Sequence, residues 1–265
     1  MNDSTYRSKQ ASCYARAALA GNPSDMHGGA VLAVPVRAFA ATVTLRARGT
    51  HLPLIDAALA RVGVGSGAEW KTDIPRSVGL AGSSALVIAA LRASGRAPKD
   101  PLALARLALS IERDDLGIPA GLQDRAVQAF DRPVLVDGGD VRPVTAGAEF
   151  NFVVAWLADA AQDSGEYHRG RDVNDAGMQQ LARIARAAAD AFTAGDVDAL
   201  ESLMGESAAV RDEVAPLSPQ HDALAASMRD VGLTPNSTGS GGAAIAVAHG
   251  DVAPDVAFTY LTIRG

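Results

Sequence analysis

Gly79-Leu80-Ala81-Gly82-Ser83-Ser84-Ala85 runs directly into Leu86-Val87-Ile88-Ala89-Ala90-Leu91. Small side chains let a backbone approach a ligand closely. An apolar helix that begins at once behind them, read here over Ser83–Ser94, presents unpaired N–H groups and the positive end of its dipole. Together these features make a seat for phosphate. Ser83 and Ser84 have two uses in such a loop: to cap the helix, or to reach a phosphate or a metal held on it. A plain turn with an N-cap is the structural alternative, and the residues alone leave both open. No Gly-Lys-Ser/Thr follows, so the loop is not a Walker A motif, and the Gly-x-Gly-x-x-Gly dinucleotide fingerprint is absent as well.

Two more small-residue loops flank apolar elements. Gly21-Asn22-Pro23-Ser24-Asp25-Met26-His27-Gly28-Gly29 follows Tyr14-Ala15-Arg16-Ala17-Ala18-Leu19, a candidate strand. Ser237-Thr238-Gly239-Ser240-Gly241-Gly242 precedes the apolar run Ala243–Ala248. Each alone reads as a loop; three in one chain suggest a single site assembled from several segments. Near them in character is Gly121-Leu122-Gln123-Asp124-Arg125, with Pro119 just ahead. These breakers put Asp124 in the first turn of a helix, where the dipole favours a carboxylate. Glu112, in Ser110-Ile111-Glu112-Arg113, is a further acidic candidate, and a solvated helix face is its plain alternative.

The remaining sequence supplies the frame. Residues 30–48 read as extended, with period-2 alternation over Thr42–Arg48 and Pro35 suited to a strand edge or end. Helices are expected over Leu52–Val62, Leu102–Leu109, Leu122–Phe130, Asp175–Thr193, Asp198–Asp212 and Gln220–Val231. Strands or extended segments are expected at Lys71–Ser77, Val134–Asp137, Phe150–Leu157, Ala243–Ala248 and Val256–Ile263. Strands mixed with helices, then a helix-rich half closed by strands, make an α+β fold. Proline, glycine and polar residues near Val141–Glu149 mark the expected domain boundary.

The chain has 265 residues, 48% of them apolar and 20% charged, with 24 basic and 30 acidic side chains for a net charge of −6. That balance disfavours general nucleic-acid binding. No apolar run has the ~18–20 residues of a membrane span. The polar start lacks the apolar core of a signal peptide, so a cytoplasmic protein is expected. Cys13, the single cysteine, fits a reducing compartment. His27, His51, His168, His221 and His249 show no metal-ligand spacing.

The three loops, in this order, resemble the three motifs of the galactokinase, homoserine kinase, mevalonate kinase and phosphomevalonate kinase (GHMP) superfamily. Tyr14-Ala-Arg16 with Gly21-Asn-Pro-Ser-Asp25, and Ala120-Gly-Leu-Gln-Asp124-Arg, look most similar to glucuronokinase. The resemblance implies an ATP- and Mg²⁺-dependent kinase acting on a hydroxyl of a small sugar or sugar acid. It also implies a two-domain fold: residues 1–147 as an S5-like, ATP-binding domain and residues 148–265 as a ferredoxin-like domain. Gly79, Leu80, Ala81, Gly82, Ser83, Ser84 and Ala85 would hold the nucleotide phosphates, with Ser84 and Glu112 on magnesium. Asp124 would be the base and Arg16 its neighbour at the transferring phosphoryl group. Asn22, Ser24 and Asp25 would bind the acceptor, and Gly239, Ser240, Gly241 and Gly242 would shape the site opposite the phosphates. His168 and Arg169, in a segment similar to one in glucuronokinase, would receive a carboxylate. The chain departs from the family pattern in three places. Ala81 stands where the phosphate motif usually has its second glycine, the interval before that motif is short, and the last helix is reduced to His249-Gly-Asp-Val-Ala-Pro254. Trp70 is the first aromatic to consider for the adenine, with a core tryptophan as its plain alternative.

Overall fold

Period-2 alternation and small apolar residues draw β1 (Gln10–Ala20) and β2 (Ala30–Arg46) into a long antiparallel pair. This computed structural model describes residues 9–157 and 175–265. β2 is the spine of the first sheet. Its start pairs β4 (Val134–Asp137) and its end pairs β3 (Gly67–Thr72). Pro35 therefore lies inside a strand rather than at its edge. It falls between the stretch that pairs β4 and the stretch that pairs β3, beside the register shift that carries Arg37-Ala38-Phe39 out of the ladder. A residue without an N–H costs least at such a place. The sheet order is β1-β2-β4-β5, with β3 on β2.

Two expectations shift. β3 runs over Gly67–Thr72, starting four residues ahead of the expected Lys71–Ser77 segment, because its Ala68 packs into the core. β5 (Asp140–Pro143) occupies the beginning of the expected Val141–Glu149 break. Gly138 and Gly139, with φ of 59° and 93°, turn the chain back on β4 and so make a hairpin there.

α2 (Gly82–Ser94) covers the first sheet, and its buried face includes Leu86, Val87, Ile88 and Leu91. Around it lie α1 (Pro53–Arg61), α3 (Pro101–Ser110), a π-type turn over Ile111–Asp115, and α4 (Gln123–Phe130). The second sheet, order β7-β8-β6-β9, is antiparallel throughout. It is built from β6 (Phe150–Trp156), β7 (Asn236–Ser237), β8 (Ala243–Val247) and β9 (Ala257–Ile263). α5 (Asp175–Ala194), α6 (Val197–Val214) and α7 (Pro219–Asp230) pack with it. Phe192 of α5 stacks on Phe150 of β6 with ring centroids 4.6 Å apart. α5 also packs on β2, so one continuous core joins both sheets. No helix forms at His249–Pro254; the Tyr260 hydroxyl instead holds that turn through Val252. Among the described residues no helix is long and apolar enough to cross a membrane.

Candidate active site

α2 begins without a side-chain cap. Ala81 occupies the N-cap position in the left-handed region, at φ 61°. Ser84 does not cap; it is buried and its hydroxyl donates back to the Ala81 carbonyl at 3.2 Å. Ser83 is exposed in the cleft. The first-turn amides of α2 are thus not answered by any serine, as a phosphate seat needs. A Cβ on Gly82 would meet only Ile74, at 3.5 Å. The protein itself leaves room there, so the space opens toward whatever enters the cleft.

Gly79 has the opposite character. Its φ is 81°, and a Cβ there would lie 3.1 Å from Ser240 N and Gly241 O. Conversely, a Cβ on Gly239 would lie 2.6 Å from Gly79 O. The second and third loops therefore meet backbone to backbone, and only glycine allows it. The Thr238 hydroxyl ties them further by donating to Gly79 O at 3.0 Å.

Arg16 sits behind this junction. Its backbone N–H donates to Leu80 O at 3.3 Å. Nη1 donates to Gly79 O at 3.1 Å and to Thr238 O, and Nε donates to Asp124 Oδ1 at 2.5 Å. The Arg16 side chain is 5% exposed, so water does little to weaken the pair. Asp124 is in the first turn of α4 and keeps 19% exposure toward the cleft. Its Oδ2 accepts from Arg125 Nη1 at 3.2 Å. Arg125 also donates to Glu112 Oε2 from Nε, at 2.5 Å, and from Nη2. Burial opposes the Arg125 charge, yet Glu112 and Asp124 outweigh it and push the pKa upward. Glu112 is completely buried, and its Oε1 has no hydrogen-bond partner.

Asp25 completes the floor. A Cβ on Gly121 would lie 2.2 Å from Asp25 Oδ2, so the glycine makes room for the carboxyl. Oδ2 accepts from Gln123 N at 3.3 Å, while Oδ1 is out of water and unpartnered. Burial, and next the neighbouring Asp124, push the Asp25 pKa up to about 6. Among the described residues three carboxylates (Asp25, Glu112, Asp124) face two guanidiniums (Arg16, Arg125), so these groups carry one negative charge in excess when all are ionised.

These residues line one cleft of about 480 Å³, together with Asn22, Gly239, Ser240 and the Gly79–Ser84 loop. One wall is apolar, with Leu52, Leu54, Trp70 and Ile74. Trp70 is thus half-buried and faces the cleft rather than filling the core alone. Four residues expected at the site fall elsewhere. Ser24 is fully buried and its hydroxyl donates to Ala30 O at 2.8 Å, so it shapes the loop rather than facing the cleft. Gly241 and Gly242 are buried at φ 111° and 84° and turn the chain into β8. Ala85 lies wholly in the core. His168 and Arg169 lie outside the described residues.

The Asn22 loop is gripped from the second half. Asn236 Nδ2 donates to Leu19 O at 2.7 Å, Gly21 N donates to Ser207 Oγ at 3.0 Å, and Arg211 Nη1 donates to Asn22 O at 3.1 Å. Sequence reasoning assigned no role to Arg125 or Gln128. Gln128 Nε2 donates to Ala81 O at 2.9 Å and to Tyr14 O at 3.1 Å, bracing the phosphate loop. The signal available was the polar pair Asp124 and Gln128, one helical turn apart on α4 among alanine and valine.

Residues 40–132 match the family model described as the GHMP kinases N terminal domain. A stretch of 62 residues is 42% identical to a D-glycero-alpha-D-manno-heptose 7-phosphate kinase of Campylobacter jejuni, covering 22% of this chain and 18% of that protein. Among solved structures, a Streptococcus pneumoniae phosphomevalonate kinase aligns over 92% of both chains with a TM-score of 0.75 and 13% identity. A D-glycero-D-manno-heptose 1-phosphate kinase from Bacteroides thetaiotaomicron aligns over 97% of this chain and 99% of that one, with a TM-score of 0.66 and 17% identity. The chain has the two-domain α+β fold of the GHMP kinases.

Proposed function

We propose that the protein is an ATP- and Mg²⁺-dependent kinase that phosphorylates a hydroxyl of a sugar or sugar acid, with glucuronate giving glucuronate 1-phosphate as the specific acceptor. The observation that carries this reading is the placement of one partly exposed, Arg-anchored carboxylate, Asp124, in the same cleft as the uncapped start of α2. ATP would supply the phosphoryl group, and Mg²⁺ would neutralise phosphate oxygens as charge spreads over them. The residues fit a metal held mainly by nucleotide and water. Glu112 Oε1 is a buried oxygen without a partner, and the Ser84 hydroxyl, which spends its proton on Ala81 O, keeps lone pairs to offer. Among the described residues no group of three His, Cys, Asp or Glu could hold a metal alone.

Phosphoryl transfer needs positioning and charge neutralisation more than covalent help. Residues 1–147 would hold the nucleotide, with the α2 amides on the phosphates and Gly82 leaving them room. Residues 148–265 would close the site through Gly239 and Ser240. Asp25, which lines the cleft, would accept hydrogen bonds from acceptor hydroxyls. Asp124 would accept the proton of the reacting hydroxyl. Arg16 would hold Asp124 in place through the Nε–Oδ1 ion pair.

A second reading is a heptose phosphate acceptor, favoured by the local likeness to the Campylobacter enzyme. ATP consumption measured against glucuronate, glucose, galactose, heptose phosphates, mevalonate and homoserine decides between them. Glucuronate should lead the panel. Faster turnover of a heptose phosphate supports the second reading. Bound ATP with no turnover on any acceptor overturns catalysis and leaves a nucleotide-binding protein.

A further inference from the structure

Among the described residues three arginines line the cleft: Arg16, Arg76 and Arg125. Arg16 is committed to Asp124 and to the carbonyls of Gly79 and Thr238. Arg125 is committed to Glu112, Asp124 and the carbonyl of Gly121. Arg76 is exposed, and among the described residues it has neither a carboxylate nor a hydrogen-bond partner. It follows Ile74 and Pro75 of the apolar wall and precedes Gly79 of the phosphate loop. Ser77, immediately after it, is held at φ 56°. A side chain other than glycine enters that region at a cost, so the turn that presents Arg76 is fixed by its surroundings rather than by local preference.

A nucleotide triphosphate brings several negative charges into a cleft where Asp25, Glu112 and Asp124, when ionised, already exceed Arg16 and Arg125 by one charge. The helix dipole answers with about half a unit charge. A Walker A loop would add a lysine, and this loop has none. We propose that Arg76 is the cation that binds the nucleotide phosphates, reaching them from the junction of the apolar wall and the phosphate loop. The proposal rests on the nucleotide-binding reading above. A planar guanidinium with several donors suits phosphate oxygens, and an uncommitted one loses no existing partner when it turns to them.

The test is calorimetric binding of MgATP, MgADP and adenosine to the wild-type chain, Arg76→Gln and Arg76→Lys. Arg76 is exposed, so both variants should fold, and their melting temperatures check this. Arg76→Gln is expected to raise the MgATP Kd by about tenfold or more, as for loss of one charge-assisted contact, and the adenosine Kd by less than about twofold. Arg76→Lys should restore part of the loss. The wild-type Kd should also weaken more steeply with added salt than that of Arg76→Gln. Unchanged MgATP affinity in Arg76→Gln, with tight binding by the wild type, overturns the proposal while nucleotide binding stands. If the variant instead raises only the acceptor KM, Arg76 serves the acceptor and the proposal also fails. Absence of MgATP binding by the wild type overturns the underlying reading itself.

Discussion

Asp25 is a carboxyl that the fold holds at a loss, so replacing it should stabilise the protein while weakening acceptor binding. Its pKa is raised from 3.8 to about 6 by burial and by Asp124. The folded state therefore binds the Asp25 proton more tightly than the unfolded chain. Between about pH 4 and 6 the folded chain holds more protons at this site than the unfolded chain, and stability must fall as pH rises through that window. About two pKa units at about 1.36 kcal/mol each set a ceiling near 3 kcal/mol, fully expressed above pH 6. Asp25→Asn keeps the size and an oxygen for Gln123 N but has no charge to bury. We expect it to exceed the wild type by about 1–3 kcal/mol at pH 8 and to lose that margin near pH 4. Urea unfolding of both proteins across this range measures the difference directly. In parallel, the acceptor KM of the variant should rise about tenfold or more, because the remaining carboxamide accepts hydroxyl bonds less well than a carboxylate. The wild-type acceptor KM should rise as pH drops below 6, and the variant should lack that limb. A margin that does not change with pH, or a variant less stable than wild type at pH 8, would refute the reasoning.

Other residues give sharper contrasts between fold and function. Asp124→Asn should lower kcat by about 10²–10⁴, the range for a positioned acid or base, with MgATP affinity within about threefold; full activity would make Asp124 only a first-turn carboxylate. Gly82→Ala should be neutral or stabilising by up to about 1 kcal/mol, because its Cβ meets only Ile74, yet it should weaken MgATP binding in calorimetry. Retained affinity would mean no ligand approaches that backbone. Ala81→Gly relieves a left-handed alanine worth about 1–2 kcal/mol, offset in part by about 0.4–1 kcal/mol of added unfolded-state entropy. A lowered melting temperature would contradict the strain at φ 61°.

What the sequence made legible follows from how local each signal is. Gly79–Ala85 is a loop-to-helix signal carried by neighbours in the chain, and α2 starts within one residue of the expected place. The alternation in β2 and the apolar run of β6 are also local and were readable. The partners of Arg125 were not, because Glu112 lies on the turn after α3 and reaches it only when α3 packs on α4. Ser24 misled for a related reason. Its neighbours Asn22 and Asp25 face the cleft, but a four-residue 3₁₀ turn sends its hydroxyl inward to Ala30 O. Of the two uses open to Ser83 and Ser84, capping is not realised, because Ala81 takes the N-cap position in the left-handed conformation, which residue type alone does not favour. β5 was hidden because a four-residue hairpin strand with polar ends carries little hydrophobic pattern.

The continuous core has a consequence for modularity. Leu19 and Leu32 of the first sheet share one hydrophobic cluster with Phe150, Phe192 and Leu261 of the second half. Asn236, Ser207 and Arg211 answer three backbone groups of the Leu19–Asn22 segment in turn. An excised first half would carry that apolar face and those stripped backbone groups into water. The two sheets therefore behave as a single heritable part. New acceptor preferences in such a scaffold can arise at the cleft rim, but transplanting one half onto a foreign partner would break both the core and the loop that holds Asp25.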